Sequence, residues 1–196
     1  MRCPYCATDL DEHSPECPAC RLDLGRAARL LGPVPRIEPG VCDSTGALTP
    51  GERKRLKRRT AAITGRFPQV RVQLVFRHFT DGQPIGLHAF WMFNLGAFST
   101  ETEKLGGNRN LLLLVDPIAA EASIIPGYGL EPFLTDEELD DLLGMAADEW
   151  AGKQWCGGAL TLLDGLEALL ERASLRTAEA LGLSARKAPS DTNFSK

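Results

Sequence analysis

Asn110-Leu111-Leu112-Leu113-Leu114-Val115-Asp116-Pro117 is the stretch on which the reading of the fold turns. Its apolar run has no polar break and is shorter than an ordinary helix, so it reads as a strand with neither face left for water. A strand of that kind lies inside a sheet covered on both sides, as in α/β proteins.

Working outward, the neighbouring segments supply the covering layers. Toward the carboxyl end, Ala122 to Ile125 makes a further short strand. Thr135-Asp136-Glu137-Glu138 is a capping box that opens a helix running to about Trp150. Leu160, Leu163, Leu166, Leu170 and Ala173 mark a last amphipathic helix, and the polar chain from Ser184 onward is expected to fray. Toward the amino end, Ile85 to Phe98 reads as a helix with Leu87, Trp91, Asn94 and Leu95 on one side. Thr80 to Pro84 is a loop, and Gln69 to Phe79 is a strand rich in Val, Leu and Phe. Thr49-Pro50-Gly51-Glu52 combines a capping box with proline at the first helical position. The helix it starts sets Leu56, Thr60, Ile63 and Phe67 at helical spacing, which makes one buried stripe. Strands separated by helices predict a small α/β sandwich over residues 41–183.

A different kind of signal stands at the amino end. Cys3-Pro4-Tyr5-Cys6 and Cys17-Pro18-Ala19-Cys20 are two C-x2-C turns close together in the chain. Such turns bring pairs of thiolates to one zinc ion, and four thiolates close its tetrahedron without a vacant position for substrate. The site is therefore expected to be structural, with Zn2+ supplying the folding free energy of a module over residues 1–25. A pair of disulfides is the alternative in an oxidising compartment. Iron held in the rubredoxin manner also uses two such pairs, spaced further apart. His13, inside the spacer, is read as a bystander. Residues 26–40 hold a short helical stretch near Ala27 to Leu31 and then Gly32-Pro33-Val34-Pro35 and Glu38-Pro39-Gly40, which suits an extended linker.

The net charge of −4 argues against general affinity for nucleic acid. No apolar stretch is long enough to span a bilayer, and no export signal opens the chain, so the cytoplasm is the expected location. The run Glu52 to Arg59 is basic, but it lacks aromatic residues for base stacking and reads first as a solvated helix face. A protein partner is the favoured expectation, and a nucleic acid is kept behind it.

Several pieces in fixed order resemble the TPM domain family, preceded here by a short zinc-knuckle module. Val41-Cys42-Asp43 followed by Gly46-Ala47-Leu48-Thr49 is similar to the family's opening strand, aspartate and capped helix. Leu111 to Val115 resembles its central strand. Gly127-Tyr128-Gly129-Leu130-Glu131, then Leu134-Thr135-Asp136, is similar to its most specific segment. The resemblance implies a four-stranded α/β fold with helices on both faces. It also implies modest phosphatase activity in some members, and binding of calcium or a similar divalent cation through acidic residues in others. Two positions depart from the pattern: Arg109-Asn110 stands where the family usually has Asn-Gly, and the family's late segment is reduced to Trp150 through Gly158.

In open α/β sheets, ligands sit beyond the carboxyl ends of the parallel strands. Asp81 and Asp116 each follow a predicted strand, and Asp43 joins them at the end of the first. Together these carboxylates make a candidate Ca2+ or Mg2+ site, with Tyr128 and Glu131 on the glycine-flanked loop as further candidates for the same ligand. The alternative for Asp116 is turn initiation before Pro117. Cys156, before Gly157-Gly158, is either an activated thiolate at a helix start or a small buried residue. Three readings of function follow: a protein-interaction or regulatory module without robust catalysis, a weak metal-assisted phosphatase for phosphomonoesters, or a nucleic-acid-associated zinc-ribbon protein.

Overall fold

The computed structural model describes residues 2–11, 14–35, Ile37, 40–96 and 109–180. The central run is strand β3 (Asn110–Asp116), and all of its residues are buried. It is flanked by β2 (Arg71–Phe76) on one side and β4 (Glu121–Pro126) on the other, with β1 (Val41–Asp43) outside β2. Strands β1, β2 and β3 are parallel and β4 is antiparallel, giving a four-stranded mixed sheet. The direction of β4 follows from the four residues that join it to β3, since a parallel return needs a crossover of a dozen or more.

Successive side chains on the strands divide between two apolar clusters. Leu111, Leu113 and Val115 of β3, with Val72, Leu74 and Phe76 of β2, face the first. Three helices cover it: α2 (Pro50–Arg66), α4 (Asp136–Ala151) and α5 (Trp155–Ala180). The predicted stripe of α2 is buried as expected, with Leu56 and Ile63 fully enclosed. Thr49 and Thr135 each form the reciprocal capping box the sequence announces, with Glu52 and Glu138. Helix α5 lies between α2 and α4. It approaches α4 closely enough that a Cβ on Gly165 would stand 2.4 Å from Leu142, and one on Gly158 2.4 Å from Trp150.

The opposite face is covered differently. Leu112 and Leu114 of β3 and Val75 of β2 share a cluster with Leu87, Ala89, Trp91 and Met92 of α3 (Ile85–Leu95). That same cluster contains Cys3, Cys17, Leu22, Ile37 and Ala27, the last on α1 (Leu24–Leu31). Asp23 caps α1 by accepting a hydrogen bond from the Arg26 amide, and Arg26 in turn donates to the Cys20 carbonyl. The first cysteine turn rests on the start of α3, where a Cβ on Gly86 would lie 3.3 Å from the Pro4 carbonyl oxygen. The segment after α1 is tied to the sheet as well, through a bond from the Gly40 amide to Gln73 Oε1 of 2.7 Å.

Helix α3 corrects one expectation. Leu87 and Trp91 face inward, but Asn94 and Leu95 are exposed, and His88 and Met92 are buried instead. The buried stripe thus runs along Leu87, His88, Trp91 and Met92. Inside, His88 donates from Nε2 to Asp81 and stacks on Phe79 with ring centroids 3.8 Å apart, while its Nδ1 is buried without a partner among the described residues. Ala97 and Phe98, which the sequence assigned to this helix, lie outside the described residues, as do His13 and the tail beyond residue 180.

Candidate metal centre and the carboxyl edge of the sheet

Each C-x2-C turn is closed by backbone hydrogen bonds. The Ala7 amide donates to the Cys3 carbonyl and the Arg21 amide to the Cys17 carbonyl, while the amides of Cys3 and Cys17 donate to Thr8 and Leu22. Ala7 and Arg21 both adopt positive φ, so the two turns repeat one conformation. The turns face one another. Cys3 Sγ lies 3.6 Å from Cys20 Sγ, and Cys6 Sγ lies 3.6 Å from Cys17 Sγ. All four sulfurs fall within 4.8 Å of one another. A tetrahedral zinc with bonds of about 2.3 Å to sulfur sets edges of about 3.8 Å, so the donor set fits that ion in number, type and separation. Among the described residues it is the one group of three or more potential ligands that converges in this way.

The sulfurs differ in environment. Cys3 and Cys17 are buried, Cys20 is half-buried and Cys6 is exposed. Burial pushes the Cys20 thiol up to about 12, whereas the Thr8 hydroxyl beside Cys6, helped by the Thr8 amide, draws that thiol down to about 6.

Asp43 and Asp116 end the parallel strands β1 and β3, and Asp81 follows β2. Each carboxylate organises the loop that leaves its strand. Asp43 accepts from the amides of Thr45, Gly46 and Leu48 and from the Thr45 hydroxyl, at 2.8–3.0 Å. Gly46 supplies the positive φ that this turn demands. Asp116 accepts from the amides of Phe79, Ile118 and Ala119, and His78 Nδ1 stands 3.0 Å from its Oδ2. Asp81 holds the Gln83 amide and His88 Nε2. Burial works to raise all three carboxyls, but these donors outweigh it and leave each below the ordinary carboxylate range.

Tyr128 and Glu131 are not part of this edge. Pro126 pairs with Leu111, and the Gly127 amide donates to the Asn110 carbonyl. The loop carrying Tyr128 and Glu131 therefore begins where β3 starts, and the length of that strand, roughly 20 Å, separates this point from Asp116. The five candidates for one ligand site thus divide between opposite edges. The antiparallel course of β4 is the reason, and the short Pro117–Ala120 connection was the signal for it. Tyr128 itself is well exposed. Cys156 is buried near the start of α5, and burial raises its thiol, as expected of a packed residue rather than a nucleophile. The pair that sequence reading missed is His78 with Asp116, which lie 38 residues apart and meet only because β2 and β3 are neighbours.

These features define an α/β domain with a four-stranded mixed sheet, joined to a four-cysteine cluster suited to a metal. Residues 41–169 match the family model described as TPM domain, and the chain belongs to that family. The fold is similar to two solved structures. The N-terminal domain of the cg2496 protein from Corynebacterium glutamicum superposes with a TM-score of 0.50 at 20% identity, over 67% of this chain and 79% of that one. The N-terminal domain of a protein from P. gingivalis superposes with a TM-score of 0.55 at 18% identity, over 76% and 87%. No curated protein matches the chain.

Proposed function

We propose that this chain is a recognition or regulatory module without robust catalysis, in which a structural zinc at Cys3, Cys6, Cys17 and Cys20 completes the second face of a TPM domain. The observation that carries this reading is the engagement of the carboxylates. Asp43 and Asp116 spend their oxygens on backbone amides of the loops that follow them, as turn organisers do, and the rest on the Phe79 amide, His78 and Arg53. The zinc assignment is supported by the sulfur separations and by the closed donor set, and a reducing cytoplasm keeps four thiols free for metal. No described helix is long and apolar enough to cross a membrane. The partner in this reading is another protein.

One observation favours a second reading, hydrolysis of phosphomonoesters. Asp116 holds His78 by Nδ1, which leaves Nε2 of a part-exposed imidazole as a proton acceptor at the carboxyl edge of parallel strands. A calcium or magnesium titration followed by NMR separates the two. The module reading expects no shifts localised to the Asp43, Asp81 and Asp116 loops, and no turnover of p-nitrophenyl phosphate with either ion. Localised shifts, together with turnover abolished by His78→Ala, would establish the enzyme and remove the module.

A further inference from the structure

Helix α2 carries basic residues that are paired within the chain, Arg53 with Asp43 among them, and others that are not. Arg59 and Arg66 reach sideways to α5, where Asp164, Glu167 and Glu171 pair with them. Lys54, Arg55, Lys57 and Arg58 instead stand exposed, and none takes an ion pair among the described residues. On α4 the signs reverse. Glu137, Asp140, Asp141 and Asp148 are exposed and likewise take no ion pair among the described residues. Both helices lie in the same layer, one on each side of α5.

The helical glycines supply a separate observation. Gly86, Gly158 and Gly165 are explained within the chain, since a Cβ on each would press against Pro4, Trp150 or Leu142. Among the described residues, Gly65 and Gly144 have nothing within 4 Å of such an atom, and neither does Gly51 in the first turn of α2. A glycine inside a helix costs about 1 kcal/mol relative to alanine; among the described residues no contact offsets that at Gly144, and Gly65, in the last turn of α2, costs less. On a helical wheel Gly65 falls with Lys54, Arg58, Ala61 and Ala62, and Gly144 falls with Glu137, Asp141 and Asp148. Small residues on charged, exposed faces let another backbone approach closely.

We propose that α2 of one copy docks on α4 of a second copy, with Lys54, Arg55, Lys57 and Arg58 set against Glu137, Asp140, Asp141 and Asp148. Complementary charge singles out this occupant. A duplex or an anionic bilayer broad enough to cover α2 also covers the acidic α4, about two helix spacings away, and is repelled there. A second copy presents acid to base and base to acid. The contact is independent of the zinc and of the carboxyl edge.

Sedimentation velocity on the full-length, zinc-loaded protein tests it. Association is expected at low ionic strength and is expected to weaken roughly tenfold or more at high salt, as contacts between exposed charges do. Arg55→Glu with Arg58→Glu abolishes it, and so does Asp140→Arg with Asp141→Arg, each with an unchanged circular dichroism spectrum. Mixing those two variants restores a complex, because each retains the half the other needs. Gly144→Gln weakens association without altering charge. A chain that stays monomeric up to about 1 mM overturns the proposal. So do mixed variants that fail to associate, and so does tight binding of α2 to a DNA duplex or to phosphatidylserine vesicles without self-association.

Discussion

The two faces of the sheet are built on different principles. One is closed by three helices, two of them started by reciprocal capping boxes, with close helix contacts at Gly158 and Gly165. Its cluster is large and is supplied wholly by residues of the matched TPM region and the last helix turns beyond it. The other face has a single helix of eleven residues from that region, α3, and its apolar cluster is completed by Ile37, the cysteine turns and α1, which packs on α3. Strands buried on both sides need both covers. The lesson is that the amino-terminal unit shares the apolar cluster of this face, so a metal held by its four cysteines is expected to help close the sheet.

This asymmetry can be broken at the cysteines first. Cys17→Ser removes a buried member of the four-cysteine cluster, so zinc binding, worth on the order of 10 kcal/mol, is expected to be lost or much weakened. Urea unfolding with zinc analysis is expected to show an empty protein with the whole transition moved to lower denaturant. The paired deletions Leu112→Ala and Leu113→Ala sharpen the contrast. Both side chains are fully buried on the same strand, and each change is expected to cost about 2–5 kcal/mol in zinc-loaded protein. After chelation the Leu112 penalty shrinks and the Leu113 penalty does not.

Smaller effects lie where the faces meet and on the surface. Asp116→Asn is expected to cost about 1–3 kcal/mol, because part-buried amides and His78 lose a charged acceptor. The Asp116 carboxyl sits lower in the folded chain than the unfolded value near 4, so its contribution is full above that pH. It is lost as pH falls through the folded value, and the variant's melting temperature should vary less with pH on the acid side. Arg59→Ala breaks two ion pairs between α2 and α5 on the well-covered face. Such pairs are screened, and about 1 kcal/mol or less is expected from thermal melts.

Where sequence alone succeeded, the signal was local. The unbroken run of β3, the stripe from Leu56 to Phe67, the threonine caps and the paired C-x2-C turns each depend on residues within one turn or one strand. Where it fell short, the deciding contact crossed the chain. Nothing around Leu22, Ala27 or Ile37 announces that they join Val75, Leu112 and Leu114, although apolar residues in a supposed linker were a hint. Asn94 and Leu95 fell on the wrong side of α3 because a buried histidine was not foreseen, and its partner Asp81 lies on the preceding loop. The grouping of Tyr128 with Asp116 required a strand direction that the brief Pro117–Ala120 connection already dictated.

Methyl NMR of the protein before and after zinc removal tests the account most directly. Selective shifts and broadening at Leu87, Leu112 and Leu114, with Leu111, Leu113 and Leu163 nearly unchanged, are the predicted result. Identical spectra in the two states, or a purified reduced protein that carries no metal at all, would contradict it.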